Sequence, residues 1–282
     1  MQRLRIFHET DYQYSTAVRL GAHKILVRPR DGHDIRIEQS KLAISPNAVI
    51  SWHRDQLDNS VALATFEDID TDRLTITSEV IVAHYLSDRQ YLPVQDHARC
   101  FPFTYTTTEL SSLSSYFNTI DQSERLRTWL AEKTAGISDT VDLLNLLCST
   151  VHSSFIYEER HEEGVHSPDS ILEGGKGSCR DYAWLFVVAA RCLGIAARFV
   201  SGYFHTAGTA LADGSTHAWA EVYLPGAGWT GFDPTSSKMT AENHVPVSVA
   251  LFPEDVPPVS GHFVGPANMN PVMTVRVNVN PL

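Results

Sequence analysis

No run of 18 apolar residues occurs anywhere in the 282-residue chain, so a helix crossing a membrane is not expected and no membrane partner is anticipated. Lys and Arg form no long run either. The chain has 22 basic against 33 acidic side chains and a formal charge of -11, and no cationic stripe that would track a phosphate backbone, which argues against a nucleic-acid partner. Cysteine is scarce: Cys100, Cys148, Cys179 and Cys192 are the four, and none forms a C-x-x-C pair. The opening MQRLRIFHETDYQYS lacks the apolar stretch of a secretory signal, so reduced thiols in the cytoplasm are the expectation. Spacing alone leaves a Cys148 to Cys192 bridge open. There is no internal repeat and no low-complexity tract.

What is present is an ordinary globular composition, 43% hydrophobic and 20% charged, long enough for one large domain or two ordinary ones. From Arg3 to about Tyr91 short β-rich runs follow one another, among them LRIFHETDYQYS, LGAHKILVRPR, DIRIEQSKLAIS and RLTITSEVIVAHY. Pro, Asp and Gly clusters punctuate the joins, and the pattern predicts an antiparallel β-sandwich-like domain over residues 1–95. The period then changes. Leu126, Trp129 and Leu130 share a helical face, as do Leu143, Leu144, Leu147 and Val151. Tyr182 to Leu193 is apolar almost all round and predicts a helix buried inside a domain. Strand candidates ARFVSGYF, HAWAEVYL and WTGFD follow, making residues 96–282 α+β. The Pro-rich stretch from Glu242 to Pro266 reads as an extended surface loop before a last strand, Met273 to Val279.

Chemistry concentrates around Cys179. Ser178-x-x-Asp181 before an apolar run is a capping-box start, which puts Ser178 at the N-cap and Cys179 at the first helical position. Unpaired N–H groups and the positive end of the helix dipole favour a thiolate there. Gly174, Gly175 and Gly177 permit a tight approach but make no phosphate loop, because Ser170 stands where a Walker sequence needs glycine. His217 opens one strand candidate and Asp233 ends the next. Cysteine, histidine and aspartate on neighbouring elements form a complete set for acyl transfer: nucleophile, base and the carboxylate that orients the base. Register is the obstacle. A symmetrical hairpin through Pro225 to Gly228 would set Asp233 opposite Ala220, three residues from His217 and on the other face, so a bulge or asymmetric turn is required.

Gly177-x-Cys179-x-Asp181, Gly202-Tyr203, His217-Ala218-Trp219-x-Glu221-Val222 and Gly231-Phe232-Asp233-Pro234-Thr235 resemble the transglutaminase-like superfamily over about Glu109 to Val279. The first ninety residues resemble the amino-terminal domain of a bacterial subgroup. The resemblance implies a papain-like core in which Cys179 attacks a carboxamide or peptide bond of a protein or peptide substrate, His217 shuttles the proton and Asp233 orients the histidine. It implies an acyl thioester, resolved by an amine or by water, and so leaves transferase and cysteine protease or amidase both open, besides a binding protein that kept the fold without turnover. No metal or other cofactor is expected. The N–H of Cys179 is the one oxyanion donor that can be named.

Other residues carry competing readings. Trp184, Trp219 and Glu221 are candidates for lining the site, against plain packing for the tryptophans and a salt-bridged carboxylate for Glu221. Asp181 is explained by capping. Asp68, Asp70, Asp72 and Glu79 have partial calcium-loop spacing, but Arg73 occupies the position that needs glycine, and a turn between strands is preferred. His161 and His166 flank two glutamates one residue too far apart for a zinc-protease helix, which predicts a polar loop bordering the cleft.

Overall fold

The computed structural model describes residues 1–85, 92–117, 122–160, 162–205, 215–267 and 269–282; His161 lies outside them. The first five strands are β1 (Gln2–Ile25), β2 (Ile35–Ser45), β3 (Ala48–Arg54), β4 (Ser60–Phe66) and β5 (Asp70–His84). Alternation decides their inner face: Leu4, Ile6, His8 and Thr10 on β1, and Leu74, Ile76, Ser78, Val80 and Val82 on β5, are all buried. The strands lie in the order β2-β5-β1-β4-β3. The first two β-rich runs of the sequence are a single 24-residue strand. Its pairing with β5 shifts register between Gln13 and Val18, and from His23 to Ile25 it pairs with β4 instead. Tyr14, Leu20, Ile25, Ala62, Leu74 and Ile76 close one apolar cluster between the two halves, the inner layer of a sandwich-like domain.

The turn from Glu67 to Ile69 joins β4 to β5, which flank β1 on its two sides. Arg19 faces Asp68 and Asp70 there, at 3.6 and 3.5 Å.

Six helices and nine more strands follow among the described residues. The helices are α1 (Asp96–Arg99), α2 (Thr107–Leu113), α3 (Glu124–Lys133), α4 (Thr140–Ser154), α5 (Pro168–Gly174) and α6 (Cys179–Cys192). The strands are β6 (Ile156–Tyr157), β7 (Lys176–Gly177), β8 (Ala197–Phe204), β9 (Ser215–Leu224), β10 (Gly228–Asp233), β11 (Lys238–Met239), β12 (His244–Ala250), β13 (Val259–Val264) and β14 (Val272–Pro281). Every residue of α6 from Asp181 to Arg191 is buried, as its apolar circumference predicts. It packs against α3, α4 and α5 and against the antiparallel sheet β11-β10-β9-β8-β12. Among the described residues no helix is long and apolar enough to cross a membrane.

The segment expected as a surface loop from Glu242 to Pro266 behaves otherwise. It contains β12, which completes the second sheet beside β8, and β13, which pairs with β1. β14 also pairs with β1, from Leu4 opposite Pro281 to Gln13 opposite Val272. The end of the chain thus returns to the sheet that its beginning made. Leu4, Ile6, Val80 and Val82 pack there against Tyr203, Val245 and Val247 of the second sheet, joining the two parts through an apolar interface. At its centre Tyr203 donates to the carbonyl of Val27 at 3.2 Å, so His8 Nδ1–H must donate to the phenol oxygen at 2.9 Å.

Candidate active site

β7 pairs in parallel with β6, Tyr157 beside Gly177, and delivers the chain to Ser178. Ser178 caps α6, and its N–H and Oγ both donate to Asp181 Oδ2 at 2.8 Å. Asp181 Oδ1 accepts from the N–H of His166 at 2.7 Å and from Arg160 at 3.1 Å. Burial alone would raise the Asp181 carboxyl, but these donors outweigh it and hold it below the usual carboxylate value. The carboxylate is fully buried, and its role is to fix the helix start. Cys179, first residue of α6, is half-buried, and its N–H has no carbonyl one turn back to meet. The four cysteines are unpaired. Burial pushes the Cys148 thiol far up and that of Cys192 to about 11.

The β9–β10 hairpin closes asymmetrically. Gly228 pairs with Leu224 and Phe232 with Ala220, so three residues turn the chain where symmetrical closure uses four. Gly226 and Gly228 have φ of 88° and 72°, a left-handed backbone that glycine adopts without a Cβ clash. The shift of one residue sets Asp233 on the same face as His217. Across β8, Gly202 pairs with His217, and a Cβ at Gly202 would stand 2.5 Å from the Trp219 ring.

His217 therefore reaches Asp233: Nε2 donates to Oδ2 at 3.0 Å. Cys179 lies near enough on the other side to act on the charge of the imidazole. Burial by itself would lower the His217 pKa, but the bonds and charges of Asp233 and Cys179 outweigh it and raise it to about 10. Asp233 is 0% exposed. Its Oδ2 also accepts from His244 Nε2 at 3.1 Å and Ser236 Oγ at 2.8 Å, and Oδ1 from the N–H of Thr235 at 2.9 Å. Burial would push this carboxyl up; the histidine donors win and hold it well below the usual range.

The remaining sequence candidates fall elsewhere. Trp184 lies against Phe252 and beneath Arg191, two turns along α6, so it is packing and not a wall beside the sulfur. Trp219 is 1% exposed and forms a floor under His217 and His244, ring centroids 6.2 and 5.2 Å away. Phe204 covers the same two imidazoles at 5.2 and 4.7 Å. Glu221 is held by both Nε and a terminal nitrogen of Arg198, at 2.7 and 2.6 Å, in a half-buried ion pair.

Two residues escaped the sequence reading. Tyr157 is brought near Cys179 by the β6–β7 pair, and its phenol is pushed far up by desolvation and by the charge of Cys179. His244 lay in the stretch read as loop. The donor atoms of His217, Asp233 and His244 fall within 4.8 Å of one another and are the one set with metal-ligand chemistry among the described residues; two N–H···O bonds to a single oxygen account for that spacing.

Residues 127–234 match the core profile of the transglutaminase-like superfamily, and residues 4–83 match that of the bacterial transglutaminase-like N-terminal region. The chain belongs to the transglutaminase-like superfamily. This superfamily member is 28% identical over 297 residues to uncharacterized proteins of Mycobacterium bovis and Mycobacterium tuberculosis, covering 99% of its own length and 93% of theirs. An uncharacterized Bacillus subtilis protein, YebA, matches over 131 residues at 30% identity, 40% of this chain and 17% of that one. A crystal structure from Cytophaga hutchinsonii, classed provisionally as a cysteine protease, superposes with a TM-score of 0.76 at 17% identity, covering 100% of this chain and 91% of that one. At that identity it establishes the fold of the superfamily member and nothing about its substrate. The core profile spans Cys179, His217 and Asp233 and ends before His244.

Proposed function

We propose that this protein is a cysteine-nucleophile enzyme that opens carboxamide or peptide bonds of a protein or peptide substrate through an acyl thioester, with Cys179, His217 and Asp233 as its catalytic triad. The observation that supports the reading is the bond of His217 to Asp233 at 3.0 Å, with Cys179, at the first position of a buried helix, near enough to act on the charge of the imidazole. The four unpaired thiols fit a reducing compartment, and we place the protein in the cytoplasm.

The steps follow from that geometry. The Cys179 thiol gives its proton to His217, and the sulfur attacks the substrate carbonyl carbon, forming a C–S bond and an oxyanion. Asp233 keeps the imidazole in the tautomer that presents its other nitrogen to the sulfur and stabilises the imidazolium. The N–H of Cys179 points from the helix start toward the developing oxyanion, and the Tyr157 hydroxyl, beside the sulfur, is the second donor. Collapse of the oxyanion breaks the C–N bond while His217 protonates the departing amine. Water or a second amine then gives its proton to His217 and attacks the thioester carbonyl, and the proton returns to sulfur as the thiol leaves.

Labelling with a thiol-directed electrophile tests the nucleophile: Cys179→Ala abolishes it with the fold intact, and persistence of the label rejects the assignment. Incubation with a glutamine-containing peptide and a tagged amine separates the fates of the thioester. Incorporated tag means transfer; ammonia or a cleaved peptide without tag means hydrolysis. Absence of any turnover, with the sulfur still reactive, favours a binding protein on this fold.

A further inference from the structure

We infer that His244 is a positioning residue for Asp233, and that the amino-terminal sheet holds it in place. The inference rests on the triad reading above and extends it by a fourth side chain. His217 Nε2 and His244 Nε2 converge on one carboxylate oxygen, at 3.0 and 3.1 Å. A carboxylate held by a single donor can swing; one whose Oδ2 meets two imidazoles, with Oδ1 on the N–H of Thr235, cannot turn without breaking several bonds at once.

The tautomer of His244 follows from its surroundings. The N–H of Ala241 donates to its Nδ1 at 3.3 Å, so Nδ1 carries no proton and Nε2 does. Nε2 is thereby the donor to Asp233. The ring centroid of His244 lies 6.2 Å from that of His217, so the two imidazoles meet the carboxylate from separate sides.

The backbone that carries His244 is fixed from outside its own sheet. β12 pairs with β8 along one edge. Its other edge is occupied by the first domain: His84 Nε2–H donates to the His244 carbonyl at 3.0 Å, and the N–H of Arg30 to that of Pro246 at 2.8 Å. The Asn59 amide bonds both the N–H and the carbonyl of Val249, each at 2.8 Å. These bonds are directional, and they set where β12 stands against the first sheet. That gives the amino-terminal domain a task at the active site: it delivers the second imidazole.

The rate at which iodoacetamide alkylates Cys179 at neutral pH reads the arrangement without a known substrate. His244→Leu is expected to slow alkylation about tenfold or more. His244→Gln, whose amide nitrogen reaches a similar place as a donor, is expected to return it to within about threefold of wild type. His84→Leu, one step removed, is expected to slow it by a smaller factor. An unchanged rate in a cooperatively melting His244→Leu protein overturns the inference. Should that variant fail to fold, NMR of the wild-type protein with labelled histidine ring nitrogens decides: a proton on His244 Nε2 supports the inference, and the Nδ1–H tautomer, which leaves Nε2 without one, overturns it. Labelling that survives Cys179→Ala would strike the nucleophile assignment instead, while the tautomer of His244 is read in either case.

Discussion

Phe232 faces Ala220 across the β9–β10 hairpin, one residue out of step with a symmetrical turn, and that offset alone carries Asp233 to the side of the sheet occupied by His217. A two-residue side-chain period makes strand register an all-or-none decision. The turn that makes the decision is held by its glycines and by a bond from the N–H of Gln95 to the Pro225 carbonyl at 2.9 Å.

Gly226→Ala is the sharpest test of that turn. Its φ of 88° suits glycine, and an added Cβ would stand 2.4 Å from the Pro93 carbonyl oxygen. The expected loss is on the order of 1–3 kcal/mol in urea denaturation, together with slower alkylation of Cys179 as Asp233 loses its alignment.

The pH dependence of stability carries the signature of His217. A histidine raised from 6.5 to about 10 by its partners contributes its full stabilisation below pH 6.5 and loses it as pH climbs toward 10. The melting temperature of the wild type should fall across that window, and that of Asp233→Asn should fall less. The lowered carboxyl of Asp233 works in the opposite direction: its contribution is present above 3.8 and disappears only at pH values below the usual carboxylate range.

Asp181→Ala should be among the most damaging changes in the chain. It leaves the N–H groups of Ser178 and His166 and the 14%-exposed Arg160 without their shared acceptor. Removing one partner of a buried ion pair costs about 3–5 kcal/mol. Calorimetry should record the loss, and a melting temperature within a few degrees of wild type would contradict the helix-start role.

Asn59→Ala tests the seam between the two sheets. It abandons the N–H and carbonyl of Val249 inside the protein, with an expected cost on the order of 2–5 kcal/mol. Hydrogen exchange along β12 should accelerate in this variant before the rest of the second sheet is affected.

How much of this was legible depended on whether a feature is local. The cap at Ser178, the buried helix after it and the alternation through β1 and β5 are written in consecutive residues, because helix and strand periods show directly in apolar spacing. For the same reason the sequence leaves Trp184 open between packing and lining the site. On a helix buried all round, spacing does not say which neighbour each side chain meets, and Phe252 lies far along the chain. Over residues 242–266 the sequence predicts a loop, because Pro246, Pro253, Pro257 and Pro258 interrupt any strand pattern. β12 accommodates Pro246 because its carbonyl accepts from Arg30, while its nitrogen has no proton to donate. Tyr157 had no local mark at all, being one aromatic before a polar stretch.

The sequence by itself determined the kinds of element, the buried helix with a cysteine at its tip, and three residue types suited to acyl chemistry, since each of these follows from neighbours a few positions apart. The tertiary structure alone decided the hairpin register, the return of β13 and β14 to the first sheet, and the meeting of His244 with Asp233. Those depend on hydrogen bonds and packing between residues far apart in the chain, whose free energy is realised only once the two sheets have come together.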